Sequence, residues 1–293
     1  MRPPVNDTPS DVKPSWQPVD AHQHFWLYSP EEYPWMGDDS LSPLRHDRLP
    51  DHLSELQKRQ NFKGSIAVQA RQKIEETTWL LELSDRHPDV MGVVGWVDLQ
   101  SNDIHQQLES FAAHKKFVGV RHVVQDEPDD HFMARPAFRN GIAALKEFDL
   151  AYDILIYPQQ LQAAIDLVKA FPDQRFVLDH MAKPVIREKL MEPWKSLFVE
   201  LSHHPNVHCK ISGLVTEADW QSWTPADLAP YIDIAVDAFS PERIMIGSDW
   251  PVCTLAATYA QVTDSFQNHF QNFSENEQIA IFRSNALNFY KLH

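Results

Sequence analysis

The chain has 293 residues, 43% of them hydrophobic, and a formal charge of −15 from 26 Lys and Arg against 41 Asp and Glu. That is ample apolar material for one large core, and so acidic a balance argues against nucleic acid and anionic membrane as partners. No apolar run reaches the length of a membrane span, no signal-like core opens the chain, and Cys209 and Cys253 make no disulfide framework. These features point to the reducing cytoplasm. A homo-oligomer is compatible with the composition.

Residues 1–18 are rich in proline and read as a flexible arm ahead of a unit that runs from residue 19 to the end. The first strand follows, with Val19 and Ala21 leading into His22-Gln23-His24. Side chains two apart on a strand share a face, so His22 and His24 project side by side. Paired imidazoles hold a divalent metal or polarise a carbonyl by hydrogen bonding. Residues 25–50 show no period and carry Trp26, Tyr28, Tyr33 and Trp35. So long an irregular stretch in a compact domain is usually functional or partly disordered, and its aromatics suit either a lid over the mouth, with Trp26 nearest the substrate, or a plug at the bottom of the fold.

From residue 51 the pattern is regular. Helices are predicted over 51–61 (capped by Asp51), 75–87, 103–113, 135–148, 159–170, 187–203 and 225–239. Between them lie short aliphatic and β-branched strands at 64–70, 91–99, 117–124, 151–157, 175–181, 206–212 and 243–249. Helical pattern returns over 256–270 and 274–290. Continuous apolar strands fit a sheet covered on both faces. Eight strand–helix units predict an α/β fold, a single-domain (β/α)8 TIM barrel. An open doubly wound sheet would want a glycine-rich phosphate turn after the first strand, where this chain has His-Gln-His.

Active sites of such barrels lie at the C-terminal strand ends. The ends here bring His22 and His24 from strand one, Gln69 and Arg71 from strand two, and Trp96 and Asp98 from strand three. Strand four brings Arg121 and His122, and strand five Asp153 and Tyr157. Strand six brings Asp179, His180 and Lys183, strand seven Ser212, and strand eight Ser248, Asp249 and Trp250. Arg121 suits a carboxylate or vicinal hydroxyls, or pairs with Asp153 or Asp179. Tryptophan faces at the mouth suit the C–H faces of a sugar ring. Asp20 shares the face of His22 and is expected one layer deeper, orienting a histidine or satisfying the core. His46, His52, His87, His105 and His114 fall on loops and helices and read as surface.

The motifs DAHQHFW, GVRHVVQDEP, LDHMAKP, CKISGL and GSDWPV stand in this order from residue 20 to residue 252. The set resembles the amidohydrolase-related family, and within it the lactonase branch of L-fuconolactonases, L-rhamnonolactonases and 2-pyrone-4,6-dicarboxylate lactonases. The resemblance covers nearly the whole chain. It implies a hydrolytic barrel whose reaction centre is His22, His24, His180 and Asp249. It implies a sugar-acid lactone as substrate, L-fuconolactone or a similar aldonolactone, opened by water with Asp249 as general base. Arg121, His122, Tyr157, Lys183, Trp26, Gln69, Trp96 and Trp250 are the expected substrate contacts. Two-metal members of the wider superfamily place a carbamylated lysine or a carboxylate at the end of strand four or five. Those strands end VRHVV and ILIYP here. The expectation is therefore one zinc on His22, His24, His180 and Asp249, or none. The alternatives are a zinc-dependent non-oxidative decarboxylase on the same barrel and a non-catalytic binding protein.

Overall fold

The computed structural model describes residues 16–292. Most of the predicted arm, residues 1–15, lies outside the described residues. Eight parallel strands run in sequence order: β1 (Val19–Gln23), β2 (Gly64–Val68), β3 (Val90–Gly95), β4 (Phe117–Val123), β5 (Ala151–Leu155), β6 (Phe176–Leu178), β7 (Val207–Ile211) and β8 (Ile244–Ile246). The ring closes where Gln23 bridges Trp250, with the Asp249 amide donating to the His22 carbonyl (2.8 Å) and the His24 amide to the Trp250 carbonyl (2.7 Å). The fold is the predicted (β/α)8 barrel. β1, β2 and β5 are buried at every position, as strands covered on both faces must be.

The helices are α1 (Pro50–Arg59), α2 (Ile74–Arg86), α3 (Ile104–Ala112), α4 (Pro136–Glu147), α5 (Leu161–Ala170), α6 (Trp194–Ser202), the short α7 (Leu214–Glu217), α8 (Pro225–Phe239) and α9 (Tyr259–Phe270). Three expectations shift. Asp51 is not the cap of α1: Leu49 is the N-cap and Pro50 the first helical residue, where its missing N–H loses nothing. Residues 187–193 are not helical, because Pro193 caps α6 instead of lying inside it. The strands also stop short of their predicted ends, since the polar residues beyond them turn away to form the mouth.

The final helical stretch, Glu275–Ile279 and Asn285–Phe289 joined by a π turn at Ala280–Ser284, closes the barrel bottom. Phe289 and Tyr290 pack into the inner apolar cluster with Ile66, Val94, Val177 and Met245. A larger cluster fills the layer between sheet and helices.

Candidate active site

His22, His24, His180 and Asp249 meet at the barrel mouth. Asp249 Oδ1 lies 3.4 Å from His24 Nε2 and 3.9 Å from both His22 Nε2 and His180 Nε2. His22 Nε2 and His24 Nε2 are 3.2 Å apart. All four residues are buried.

Local backbone makes the convergence possible. His180 does not end a strand: it sits on a left-handed turn in which His180, Met181, Ala182 and Lys183 all have φ between 52° and 57°. Asp249 is also left-handed, at φ 58°. Such backbone is unfavourable for residues with a Cβ and persists only where surrounding packing imposes it. Two glycines give the histidines room. A Cβ on Gly213 (φ 66°) would lie 2.7 Å from His180 Nδ1, and one on Gly247 would lie 2.5 Å from His22 Cβ.

The second nitrogen of each outer ring is taken. His24 Nδ1 lies 2.7 Å from the Val68 carbonyl, so it carries the proton and leaves the Nε2 lone pair facing inward. His180 Nδ1 is 2.8 Å from Ser212 Oγ. Burial pushes His180 down to about 4 and His22 well below its ordinary value, so neutral imidazoles face the centre at neutral pH. Burial alone would raise the Asp249 carboxyl, but His180, His24 and His22 around it hold it far below the usual carboxylate range.

The imidazole nitrogens of His22 and His24 and a carboxylate oxygen of Asp249 form a donor set that could hold a single divalent cation, with His180 Nε2 3.9 Å from the same oxygen. Ligand atoms around a tetrahedral zinc at ~2.05 Å are spaced about 3.3 Å apart. In the His22, His24 and Asp249 set the 3.2 and 3.4 Å edges match, and the 3.9 Å edge needs only slight closure. His22, His24 and Asp249 form one compact ligand group, and the deeper set His22, Asp179 and His180 shares His22 with it. β4 and β5 end in Val123 and Leu155, so neither supplies a bridging lysine.

A cavity of about 310 Å³ opens above this centre. Of the expected contacts, Trp26, Gln69, Arg121, Tyr157 and Lys183 line it. Arg121 is fixed by Asp179 Oδ2 (3.1 Å) and by the Gln69 side chain (3.2 Å). Asp179, rather than Asp153, is thus its partner. Lys183 lies 5.2 Å above the Tyr157 ring and 3.9 Å from Glu217. Trp26 and Trp35 also line the cavity, so the 25–50 segment covers the mouth, the first of its two expected places. Trp26 donates its indole N–H to the His46 carbonyl (2.9 Å). Glu32 of this segment pairs with Arg71 and Lys73 on the rim, which makes Arg71 a tether rather than a substrate contact.

Three expected contacts lie elsewhere. His122 follows Arg121 on β4, so the two point to opposite faces, and His122 stacks on Phe132 and pairs with Glu127 (2.7 Å). Trp96 directs its indole N–H at His122 Nδ1 (3.4 Å), away from the cavity. Trp250 is turned outward by the left-handed Asp249 and packs on Phe25, with Arg48 over its ring. Asp20 orients no histidine ring; its carboxylate accepts from the Ser248 amide and hydroxyl.

Lys210, on β7, was not singled out in the sequence. It is fully buried beneath His22, between Asp153 (2.5 Å) and Asp179 (3.0 Å). Burial raises Asp153 to about 6, whereas Lys210, His22 and Arg121 outweigh burial at Asp179 and hold it well below the ordinary value. A lysine inside the short strand VHCKI, flanked by Cys209 and Ile211, was the available signal, since lysine is almost never fully buried unless paired.

A closed barrel with three imidazoles and an aspartate at its mouth has the groups of a hydrolytic centre that could hold one divalent cation. The chain belongs to the amidohydrolase family, whose profile matches residues 19–292. It is 38% identical over 285 residues to an L-fucono-1,5-lactonase of Burkholderia multivorans, covering 94% of this chain and 96% of that one. A crystal structure of a Burkholderia multivorans amidohydrolase with bound zinc is 37% identical and superposes with a TM-score of 0.92, over 95% of this chain and 100% of that one. A 2,6-dihydroxybenzoate decarboxylase from Rhizobium, 16% identical with a TM-score of 0.65 over 94% of this chain and 98% of that one, shares the fold alone.

Proposed function

We propose that the protein hydrolyses a sugar-acid lactone, L-fucono-1,5-lactone or a closely related aldonolactone. The observation that carries this reading is the Asp249 carboxylate, set among the imidazoles of His22, His24 and His180 at the floor of a cavity of about 310 Å³. The B. multivorans relative is named for that activity and aligns over nearly the whole chain.

Asp249 is anionic across the working range and accepts a proton from the attacking water as its oxygen bonds to the lactone carbonyl carbon. His180 lines the cavity and, with Nδ1 accepting from the Ser212 hydroxyl, presents its Nε2–H to the oxyanion that develops on the carbonyl. A divalent cation on His22, His24 and Asp249 would supply Lewis-acid polarisation of that carbonyl. When the ring C–O bond breaks, the departing alkoxide takes the proton held by Asp249, leaving a hydroxy acid. Arg121 and Lys183 receive the new carboxylate and ring hydroxyls, while Tyr157, Gln69 and Trp26 bound the ring.

The partner in this reading is a small molecule, and a net charge of −15 argues against nucleic acid. Among the described residues no helix is long and apolar enough to cross a membrane. Cys209 and Cys253 are buried free thiols, which supports placing the protein in the cytoplasm. The test is a panel of aldonolactones followed with a pH indicator, with and without chelator. Hydrolysis of L-fucono-1,5-lactone or a stereochemical neighbour is expected. No turnover on any sugar lactone, with or without added zinc, would overturn the reading.

A further inference from the structure

Two cations line the cavity, Arg121 and Lys183, and each has a carboxylate of its own. Arg121 is bound to Asp179 Oδ2 at 3.1 Å. Lys183 Nζ stands 3.9 Å from Glu217 Oε1. That separation is an ion pair beyond hydrogen-bond reach, so the ammonium keeps N–H donors for a ligand. The face of the Tyr157 ring, 5.2 Å away, steadies it from another side. Only 18% of the Lys183 side chain and 22% of the Glu217 side chain is exposed, so salt screens the pair little. Glu217 ends α7, the short helix that the left-handed Gly213 starts just after β7. Its carbonyl accepts the Arg187 amide at 3.0 Å, which ties α7 to the loop that carries Lys183. Burial raises the Glu217 carboxyl, and Lys183 opposes that shift.

The rest of the lining adds negative charge. Asp249 and Asp126 face the same space, and both lining cations are already matched by Asp179 and Glu217. A substrate that brings a carboxylate of its own therefore meets no spare positive charge there. An uncharged hydroxyl still meets the Lys183 donors. We propose that Glu217 is a positioning residue that sets specificity through Lys183: by neutralising the ammonium it fits the cavity to neutral polyhydroxy lactones and turns away lactones that bear a free carboxylate. The inference rests on the lactone reading and narrows its substrate class.

The test compares L-galactonolactone, which has the ring stereochemistry of L-fuconolactone, with the analogue whose terminal hydroxymethyl group is oxidised to a carboxylate. Both present the same ester to Asp249, so the ratio of their kcat/KM values isolates recognition of the far end. The natural protein is expected to favour the neutral lactone. Glu217→Gln keeps the shape and removes the charge, and should move the ratio toward the carboxylated lactone by about 10–100-fold, the scale of one like-charge contact removed. Glu217→Asp keeps the charge and should keep the natural preference. Adding Lys183→Met to Glu217→Gln should abolish the shift, because the freed ammonium is the group that receives the carboxylate. A merely structural role would lower both kcat/KM values together, so an unmoved ratio in Glu217→Gln overturns the proposal. A shift that survives Lys183→Met overturns it as well. If Glu217→Gln fails to fold, the natural protein decides: equal or better use of the carboxylated lactone overturns the proposal. Turnover with an unmoved ratio fails this inference alone, whereas no turnover on any lactone fails the lactone reading and this inference with it.

Discussion

Asp20 holds Ser248 twice: one carboxylate oxygen accepts the Ser248 amide at 2.8 Å and the other accepts its hydroxyl at 2.6 Å. The same hydroxyl accepts the Trp250 amide at 3.0 Å. The clasp thus pins the backbone on both sides of Asp249, and it joins strands at opposite ends of the sequence. Ser248→Ala leaves a buried carboxylate oxygen and a buried amide without their partner. A loss of about 1–3 kcal/mol is expected, with a lowered kcat because Asp249 loses its anchor. Thermal melts and steady-state kinetics check this; an unchanged Tm with an unchanged kcat would contradict it.

Asp249→Asn keeps the shape of the side chain and removes its ability to take a proton. Lactone hydrolysis should fall by about 10²–10⁴, and more if metal content falls with it. The fold should survive, since the clasp lies one residue away. Wild-type turnover on a lactone the enzyme uses would return the base role to His180.

The two tryptophans of the covering segment should separate stability from binding. Trp26 is fully buried and hydrogen-bonded, so Trp26→Ala should destabilise by about 3–5 kcal/mol. Trp35 is 39% exposed and lines the cavity, so Trp35→Ala should raise KM while leaving the melt nearly unchanged. Identical kinetics for Trp35→Ala would remove it from the substrate's surroundings.

Acid stability should carry the signature of His208. Burial, with Arg243 and Arg175 nearby, lowers it from 6.5 to about 4 in the folded protein. The unfolded chain therefore takes up this proton first as pH falls. The contribution is fully present above pH ~6.5 and drains away down to pH ~4, amounting to at most about 3 kcal/mol at ~1.4 kcal/mol per pH unit. Urea melts of His208→Gln between pH 7 and 4 should show a shallower decline than the natural protein. A parallel decline would assign the acid limb to other groups.

Elemental analysis should return at most one tightly held divalent ion per chain, because the two ligand groups share His22 and the ends of β4 and β5 offer no bridging lysine. Two equivalents surviving gel filtration would contradict this.

The barrel was legible because each strand is a short apolar run followed by a helical period, and because His22, His24, His180 and Asp249 fall just at or beyond such runs. Their meeting point follows from the topology of any barrel of this kind. What sequence could not supply was direction within a few residues. Arg121 and His122 are adjacent, and strand alternation lets only one face the barrel. Trp250 looked like a neighbour of Asp249, but the left-handed backbone at Asp249 turns the indole away. The four-residue left-handed turn at His180 carries no glycine to announce it. Lys210 was hidden because its partners Asp153, Asp179 and His22 come from three other places in the chain, His22 being 188 residues away.

The ring closes between its first and last strands, and the centre lies on that seam. His22 and His24 stand on one side of it and Asp249 on the other, held together by Asp20 and Ser248 across 228 residues of sequence. A chain with its eight strands joined by seven pairings and the seam open has the secondary structure of the finished protein without the two sides of the centre brought together. Completion of the ring and acquisition of activity are therefore one event. Turnover in a sample counts closed barrels, where a spectroscopic measure of helix would count open ones as well.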